Sequence, residues 1–247
     1  MTGFAFRRLV AAGGVLFAWS FGGPPVQAAE AAVPPNPVIT PCQAITTPAQ
    51  AITACEAAIA SGRWSGKDLA WAWNNLGLAQ AAERRFLAAI KAYDEALALD
   101  PDYAAALANR GNTHAALGDL IPALADHERV VALTPKDASA WMNRGADHED
   151  MGQYKKALAD YNQAIKLDPD HRGAHIGRAT ANCKLGRSKT SAKHRLAAIT
   201  KGLIDPTEMQ VVLQKEGFYR GKIDGIFGKG SRAALRQWTR KGCLPRA

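Results

Sequence analysis

The sequence has few acidic residues and few long apolar runs. Its 22 Asp and Glu stand against 31 Lys and Arg in 247 residues, which gives a formal net charge of +9. Beyond the N-terminus no continuous apolar run reaches the roughly 20 residues that span a bilayer, which excludes a polytopic membrane protein. A hydrophobic fraction of 47% is enough for a core and excludes wholesale disorder. We expect one or two globular domains.

The common catalytic and metal-binding motifs are also lacking. The sequence contains no H-E-x-x-H zinc pattern and no G-x-S-x-G nucleophile motif. His171 and His175 have helical spacing, but only Cys183 lies nearby as a third metal ligand. The acidic run 147–150 is spread around a helix, which favours a solvated face over a site. We therefore predict a protein that is not an enzyme, with no catalytic residues, no metal and no cofactor.

Residues 1–28 are predicted to be an export signal. Arg7 and Arg8 precede the largely apolar segment 9–21, and a Gly-Gly-Pro-Pro break and small residues follow. The alternatives are an uncleaved anchor or a buried helix, but the apolar segment is shorter than the roughly 20 residues of a membrane span. We expect the mature chain in the periplasm, without stable membrane insertion. The general secretory and twin-arginine routes both stay open.

A period of 34 residues runs through the middle of the chain. Segments 70–103, 104–137 and 138–171 align without a gap, and each contains two apolar stretches of helical period. The recurring residues are Asn75, Asn109 and Asn143, Gly77, Gly111 and Gly145, Ala89, Ala123 and Ala157, and Pro101, Pro135 and Pro169. Each segment is predicted to be a helical hairpin, and hairpins that cannot bury their own apolar faces must stack.

This pattern resembles the tetratricopeptide repeat. The first segment carries it on Trp73, Leu76, Gly77, Ala89, Tyr93, Ala96 and Pro101, and the third on Trp141, Gly145, Tyr154, Ala157, Tyr161, Ala164 and Pro169. The middle segment departs from it, with Leu107 in the place of Trp. The resemblance implies an all-α solenoid of three helical hairpins with capping helices.

In the tetratricopeptide repeat family the first helices of successive hairpins line a concave groove that holds a peptide or a partner helix. The resemblance therefore implies a protein partner, which the sequence does not identify. The expected groove residues are Asn74, Asn75, Leu78, Asn109, Asn112, Met142, Asn143 and Glu149. Asparagine can both donate to and accept from a peptide backbone. The alternative is that the asparagines are internal struts between helices.

Helical and Pro-rich segments flank the repeats. We assign a Pro-rich linker to 29–47, an N-terminal capping helix to 48–69, a closing helix to 172–186 and a basic connecting segment to 187–203. In an exported protein Cys42 and Cys55 are predicted to form a disulfide across a short loop. Cys183 and Cys243 are assigned to a second bond, with free thiols as the alternative.

Two charged pairs are predicted inside the repeats. An apolar pair of the first repeat is replaced by Arg110 and Asp126 in the second and by Arg144 and Asp160 in the third. Because a buried arginine needs a partner, we predict an ion pair in each of these hairpins. Common descent of the repeats is the alternative explanation.

The C-terminal end of the chain is strongly basic. Residues 172–247 hold 17 Lys and Arg against 4 Asp and Glu, whereas residues 63–171 hold 12 against 16. This asymmetry favours an anionic partner for the basic end, with plain solvation as the alternative. We expect no nucleic acid partner, because export removes the protein from it and the basic region lacks interleaved surface aromatics.

Residues 204–247 resemble the small peptidoglycan-binding domain of cell-wall hydrolases. The matching positions are Gln210, Leu213, Gly217, Phe218, Tyr219, Gly221, the run Asp224-Gly225-Ile226-Phe227-Gly228, Ser231, Ala234, Leu235 and Trp238. The resemblance implies a helical module that binds peptidoglycan, with contacts from Tyr219, Asp224, Phe227, Ser231, Arg232 and Trp238. Of these we expect Tyr219, Ser231 and Arg232 to be exposed to a ligand.

The match to this module is incomplete. Thr239 departs from the family pattern, and the chain stops where the family continues into a further helix, so we expect segment 188–203 to supply that helix. The sequence as a whole predicts an exported adaptor that binds a protein through its repeats and peptidoglycan through its C-terminal module. The alternatives are a subunit that assists or regulates a cell-wall hydrolase, and a protein-binding repeat protein with a degenerate module.

Overall fold

The computed structural model describes Cys42 and residues 47–243, and this part of the chain is helical without a β-strand. Its helices are α1 (Pro48–Ala60), α2 (Gly66–Ala82), α3 (Phe86–Leu99), α4 (Ala104–Leu117), α5 (Leu120–Leu133), α6 (Ala138–Asp150), α7 (Tyr154–Leu167), α8 (Arg172–Lys184), α9 (Ser188–Thr200), α10 (Pro206–Lys215) and α11 (Lys229–Arg240). No helix in this region combines the length and the apolar composition of a membrane span. The predicted signal and nearly all of the predicted Pro-rich linker lie outside the described residues.

The chain divides into two compact units, the first ending at Asp119 and the second beginning at Leu120. The first unit contains α1 to α4. Pro48 starts α1, where its missing N–H costs nothing, and the Thr47 hydroxyl caps the helix by accepting from the backbone N–H of Gln50. The predicted disulfide between Cys42 and Cys55 is present, and both residues are fully buried.

The opening segment of the first unit packs on the first hairpin, α2–α3. Cys42 and Cys55 share a buried apolar cluster with Leu76 of α2 and Ala92 of α3. The capping helix is shorter than the predicted 48–69, since α1 ends at Ala60 and α2 begins at Gly66. The first repeat helix therefore starts four residues before the predicted repeat boundary. Asp68 lies in its first turn, where its negative charge interacts favourably with the positive end of the helix dipole.

Contact between the helices of a hairpin depends on one aromatic ring and the glycines beside it. Tyr93 of α3 is 1% exposed, and a Cβ added to Gly77 of α2 would lie 2.5 Å from its ring. In the second unit Tyr161 of α7 lies between two glycines. A Cβ at Gly145 of α6 would lie 2.9 Å from the Tyr161 ring, and one at Gly177 of α8 would lie 2.3 Å from it. Glycine therefore lets a buried ring fit between backbones that pack closely.

The second unit extends the repeat pattern further than the sequence predicted. The expected closing helix and connecting segment form α8 and α9, which pack together as a fourth hairpin. The 34-residue period continues through it, and its small residues Ala179, Ser191 and Ala198 are fully buried. We call the site filled by Tyr93, His127 and Tyr161 the ring position; in the fourth hairpin Arg195 fills it.

The C-terminal part of the second unit packs on this fourth hairpin. In this part α9 packs against α11, and residues of α9, α10 and α11 share one buried cluster. That cluster contains Ile199, Leu213, Leu235 and Trp238. The second disulfide joins Cys183 of α8 to Cys243, three residues after the end of α11.

Candidate binding surfaces

In the first unit the predicted groove residues divide into an internal pair and an accessible set. Asn109 of α4 donates its side-chain amide to the Asn74 carbonyl oxygen of α2 at 3.0 Å, and Asn74 is buried. These two asparagines are therefore struts, which was the alternative reading. Asn75 and Asn112 are half-buried, and Leu78 is exposed. The accessible side chains of α2 and α4 offer amide groups beside an apolar contact.

In the second unit α6 carries the other three predicted groove residues. Met142 is half-buried against the apolar cluster of the third hairpin, and Asn143 is half-buried. Glu149 accepts a hydrogen bond of 2.9 Å from the Tyr161 hydroxyl. Burial raises the pKa of Glu149 to about 7, although the bond from Tyr161 opposes this shift. This surface therefore includes a carboxyl group that changes charge near neutral pH.

One of the two predicted charged pairs is confirmed. Arg144 donates from Nε and from a terminal nitrogen to the two carboxylate oxygens of Asp160, at 2.9 and 2.7 Å. Its guanidinium also lies 4.7 Å from the ring centre of Trp141. Arg110 donates to Asp94 of α3 at 2.6 Å, within the first unit. An Arg110–Asp126 pair would join the two units and stays a prediction.

The acidic run 147–150 is not the solvated face that the sequence indicated. Asp147 is 2% exposed and His148 is 6% exposed. Asp147 pairs with the fully buried His127 of α5 through Nδ1, at 2.5 Å. The run is spread around the helix, as expected, but the side that carries Asp147 and His148 faces the interior and not the solvent. The 34-residue period could have found the pair, since His127 stands at the buried ring position.

The loop between α10 and α11 is organised by one buried amide. Gln210 is fully buried, and its carbonyl oxygen accepts from the backbone N–H groups of Asp224 and Gly225 at 3.2 and 3.0 Å. Its amide nitrogen is 3.0 Å from an Asp224 carboxylate oxygen, which also accepts from the Ile226 N–H. These hydrogen bonds lower the pKa of Asp224, and the bond from the Gln210 side chain has the largest effect. Gly225 has φ +73°, which favours glycine at the turn.

The predicted peptidoglycan contacts differ in accessibility. Ser231 is 1% exposed and Trp238 is 8% exposed, so the expectation of an accessible Ser231 is wrong. Ser231 is buried because it packs beside the amide nitrogen of Gln210 at 3.2 Å. Trp238 stacks on the buried guanidinium of Arg195 at 4.7 Å. Neither side chain is open to a ligand.

Other predicted contacts do reach the surface of this loop. Tyr219 is half-buried and donates to the Lys222 carbonyl, and Phe227 is half-buried against the core. Arg232 is exposed, and its Nε donates to the Phe227 carbonyl at 3.1 Å. Ile226 is 70% exposed and was not among the contacts predicted from the sequence. As the variable residue of the D-G-x-F-G run, it points away from the core that its neighbour Phe227 contacts.

The candidate metal pattern does not come together in the second unit. Cys183 is bonded to Cys243 and has no thiolate to offer. His171 caps α8 by accepting from the Ala174 N–H, and His175 is paired with the Pro169 carbonyl. Within the described part of the chain no three His, Cys, Asp or Glu side chains form a group that could hold a metal ion.

Comparison with known proteins identifies the repeats. The family model described as tetratricopeptide repeat matches residues 70–103 and 138–171. No curated protein matches the chain. The solved structure of MamA, residues 41 to the end, from Desulfovibrio magneticus RS-1 has a TM-score of 0.59 and 23% identity, over 64% of this chain and 88% of that one. A tetratricopeptide repeat protein from Parabacteroides merdae ATCC 43184 has a TM-score of 0.60 and 20% identity, over 68% and 65%.

These similarities define a fold and a class of interaction. The chain contains tetratricopeptide repeats, as the sequence resemblance indicated, and its fold is that of tetratricopeptide repeat proteins. Such repeats indicate protein–protein interaction. The likeness to the solved structures is under 25% identity, so it concerns the fold alone.

Proposed function

We propose that the chain is an exported, non-enzymatic adaptor whose repeats bind a protein partner and whose C-terminal module binds peptidoglycan. The observation that carries the protein-binding part is the match to tetratricopeptide repeats, together with half-buried amides and an exposed leucine on the first helices of the first unit. Two weak contacts on one chain would raise the effective concentration of the partner at the wall.

The protein-binding part is tested by charge placed on the accessible surface of α2. We expect Leu78→Glu to abolish co-purification of a partner that the wild-type mature chain retains from envelope extract, because a buried interface cannot hold an unpaired carboxylate. Leu87→Glu on α3 is the matched control, since Leu87 is 72% exposed but lies on the second helix of the same hairpin. Equal loss of the partner in both variants would contradict a site on α2.

The peptidoglycan part rests on the order of the loop that follows α10. Gln210 fixes the backbone of this loop, and its Ile226 is exposed. Arg232, in the first turn of α11, is also exposed and donates to the carbonyl of Phe227, the neighbour of Ile226. An apolar contact beside a guanidinium suits a glycan strand that carries peptide carboxylates.

Sedimentation with purified peptidoglycan tests this part with the whole mature chain. We expect Ile226→Ala combined with Arg232→Ala to leave most of the protein in the supernatant. Ile121→Ala on α5 is the control, because Ile121 is 76% exposed in the same unit and lies outside the module. Release of soluble wall fragments by the mature chain would contradict the non-enzymatic proposal.

A second function for the module is favoured by how it packs. Trp238 covers the guanidinium of Arg195, and Cys243 is bonded to Cys183 of the fourth hairpin. These contacts suit a cap that closes the end of the repeats. If the wild-type mature chain does not sediment with peptidoglycan, the cap remains as the function of the module.

A further inference from the structure

The second unit has a groove between α9 and α11 that lies outside the first-helix surface described above. Its volume is about 640 Å³. Leu196 and Ala197 of α9 reach the surface of this groove and form an apolar floor, which the buried side chains of Ala192 and Leu235 also line. Such a floor is available to an apolar ligand surface, and this distinguishes the groove from a plain charged patch.

The two rims of the groove are rows of cations. Lys189 and Lys193 lie along α9, and Lys201 directly follows its last residue. Arg232, Arg236 and Arg240 lie along α11. The arginines recur every four residues, and so do the first two lysines, which places neighbouring charges about 6 Å apart along each helix axis. All six side chains are exposed, and no acidic residue among those that the structure describes lines the groove.

Most of these cations lack a partner of opposite charge. Lys201 pairs with Asp170 at 3.2 Å. Lys189, Lys193, Arg236 and Arg240 make no ion pair with any residue that the structure describes. Like charges one helical turn apart repel each other, so the two rows are complementary to a ligand that brings carboxylates to both rims.

The chain itself offers no such ligand in its remaining segments. Residues 1–41 contain a single acidic residue, Glu30, and residues 244–247 contain an arginine and no acid. These residues therefore do not match the charge of the groove, and the occupant proposed below is another molecule. A flexible polyanion would use the rims and leave the apolar floor uncovered, whereas an amphipathic helix covers both.

We propose that the groove between α9 and α11 docks an acidic amphipathic helix of a partner protein. The α9 row from Lys189 to Lys201 extends about 18 Å, which matches about twelve helical residues. The bound helix would place an apolar stripe on Leu196 and Ala197, with Asp or Glu on both sides of the stripe. This site shares Arg232 with the proposed peptidoglycan contact, and it has no residue in common with the surface on α2 and α4.

A synthetic helical peptide tests the proposal with the mature disulfide-bonded chain. The probe is a fluorescent 14-residue peptide with leucines along one face and glutamates on both flanks, measured by anisotropy. A peptide of the same composition, with its leucines distributed around the helix, is the reference. We expect the amphipathic probe to bind at least about tenfold more tightly than the reference.

Charge reversal locates the site. Lys193→Glu combined with Arg236→Glu is expected to weaken binding of the probe about tenfold or more, since both rims then repel it. Lys155→Glu combined with Lys166→Glu on α7 is the matched control, because both lysines are exposed in the same unit and lie outside the groove. We expect this control to change affinity by less than about twofold. Ala197→Trp, which fills the groove without changing charge, should also weaken binding.

Three results would overturn the proposal. Equal affinity for the amphipathic and reference peptides would show that charge alone drives peptide binding and that the apolar floor of the groove plays no part. Equal weakening by the two charge-reversed variants would show a general effect of net charge. Displacement of the probe by soluble muropeptides would assign the groove to wall binding instead.

Discussion

Gly177→Ala is the most direct test of how successive hairpins pack in the second unit. The added Cβ would lie 2.3 Å from Cζ and 2.6 Å from two further ring carbons of Tyr161. The ring cannot turn away cheaply, because it is 3% exposed, lies against Gly145 on its other side and donates to Glu149. Such overpacking costs roughly 3 kcal/mol, and the better helix propensity of alanine returns roughly 1 kcal/mol.

The expected net loss is therefore about 2 kcal/mol in the free energy of unfolding, or about 5 °C in Tm. Urea unfolding followed by circular dichroism, with both disulfides kept oxidised, measures it. Gly173→Ala on the same helix is the control, because its Cβ would have no neighbour closer than 3.4 Å. We expect this control to be neutral or slightly stabilising.

A second background separates the clash from other effects of alanine. In Tyr161→Leu the ring is gone, so adding Gly177→Ala should become neutral or stabilise by about 1 kcal/mol. If Gly177→Ala is harmless in the wild type, or costs the same in both backgrounds, the close approach of the ring to α8 is not what the structure indicates.

Three further predictions concern the second unit. Replacing Cys183 and Cys243 by alanine opens a link between residues 60 apart and should lower stability by about 4 kcal/mol on the chain-entropy model; thermal unfolding with and without reductant measures it, and no change would contradict a closed bond. Burial raises the pKa of Glu149 to about 7, above its value in the unfolded chain. Its contribution to stability is therefore full at low pH and is lost as the pH rises through about 7, by on the order of 3 kcal/mol. Glu149→Gln should flatten this slope in urea titrations at several pH values. Burial lowers the pKa of Arg195 to about 10, so Arg195→Met, which removes a buried charge and keeps the length, should be neutral or stabilising in the same assay; a loss above about 2 kcal/mol would indicate that stacking on the indole outweighs desolvation.

Repetition explains which parts of the fold were predictable. Three hairpins were visible because glycine, alanine and proline recur at fixed positions where backbones approach or helices end. The fourth hairpin was missed because it keeps only the small residues. His175 replaces tryptophan, Arg195 replaces tyrosine, and no proline follows at the next period. The fourth hairpin keeps small residues where its helices meet, but polar residues replace the large aromatic ones. The resemblance to the tetratricopeptide repeat was recognised from those large aromatic residues.

The candidate surfaces were predictable to a smaller extent. The Arg144–Asp160 pair was found because both members change together between repeats. The exposure of individual side chains could not be predicted by comparing the repeats. Asn74 and Ser231 are polar residues that point inward because each has a hydrogen-bonding partner on another helix, the half-buried Asn109 and the buried Gln210. A polar side chain in a motif does not by itself indicate a surface residue.

The indole of Trp238 over the guanidinium of Arg195 limits how this protein can evolve in length. Tandem arrays change by gaining or losing whole units, because each unit contacts only its neighbours. In this protein the fourth hairpin buries the Arg195 guanidinium, and Trp238, which lies outside the repeats, covers it. Inserting another copy after the fourth hairpin would separate the two residues, so duplications are expected to survive upstream of this point.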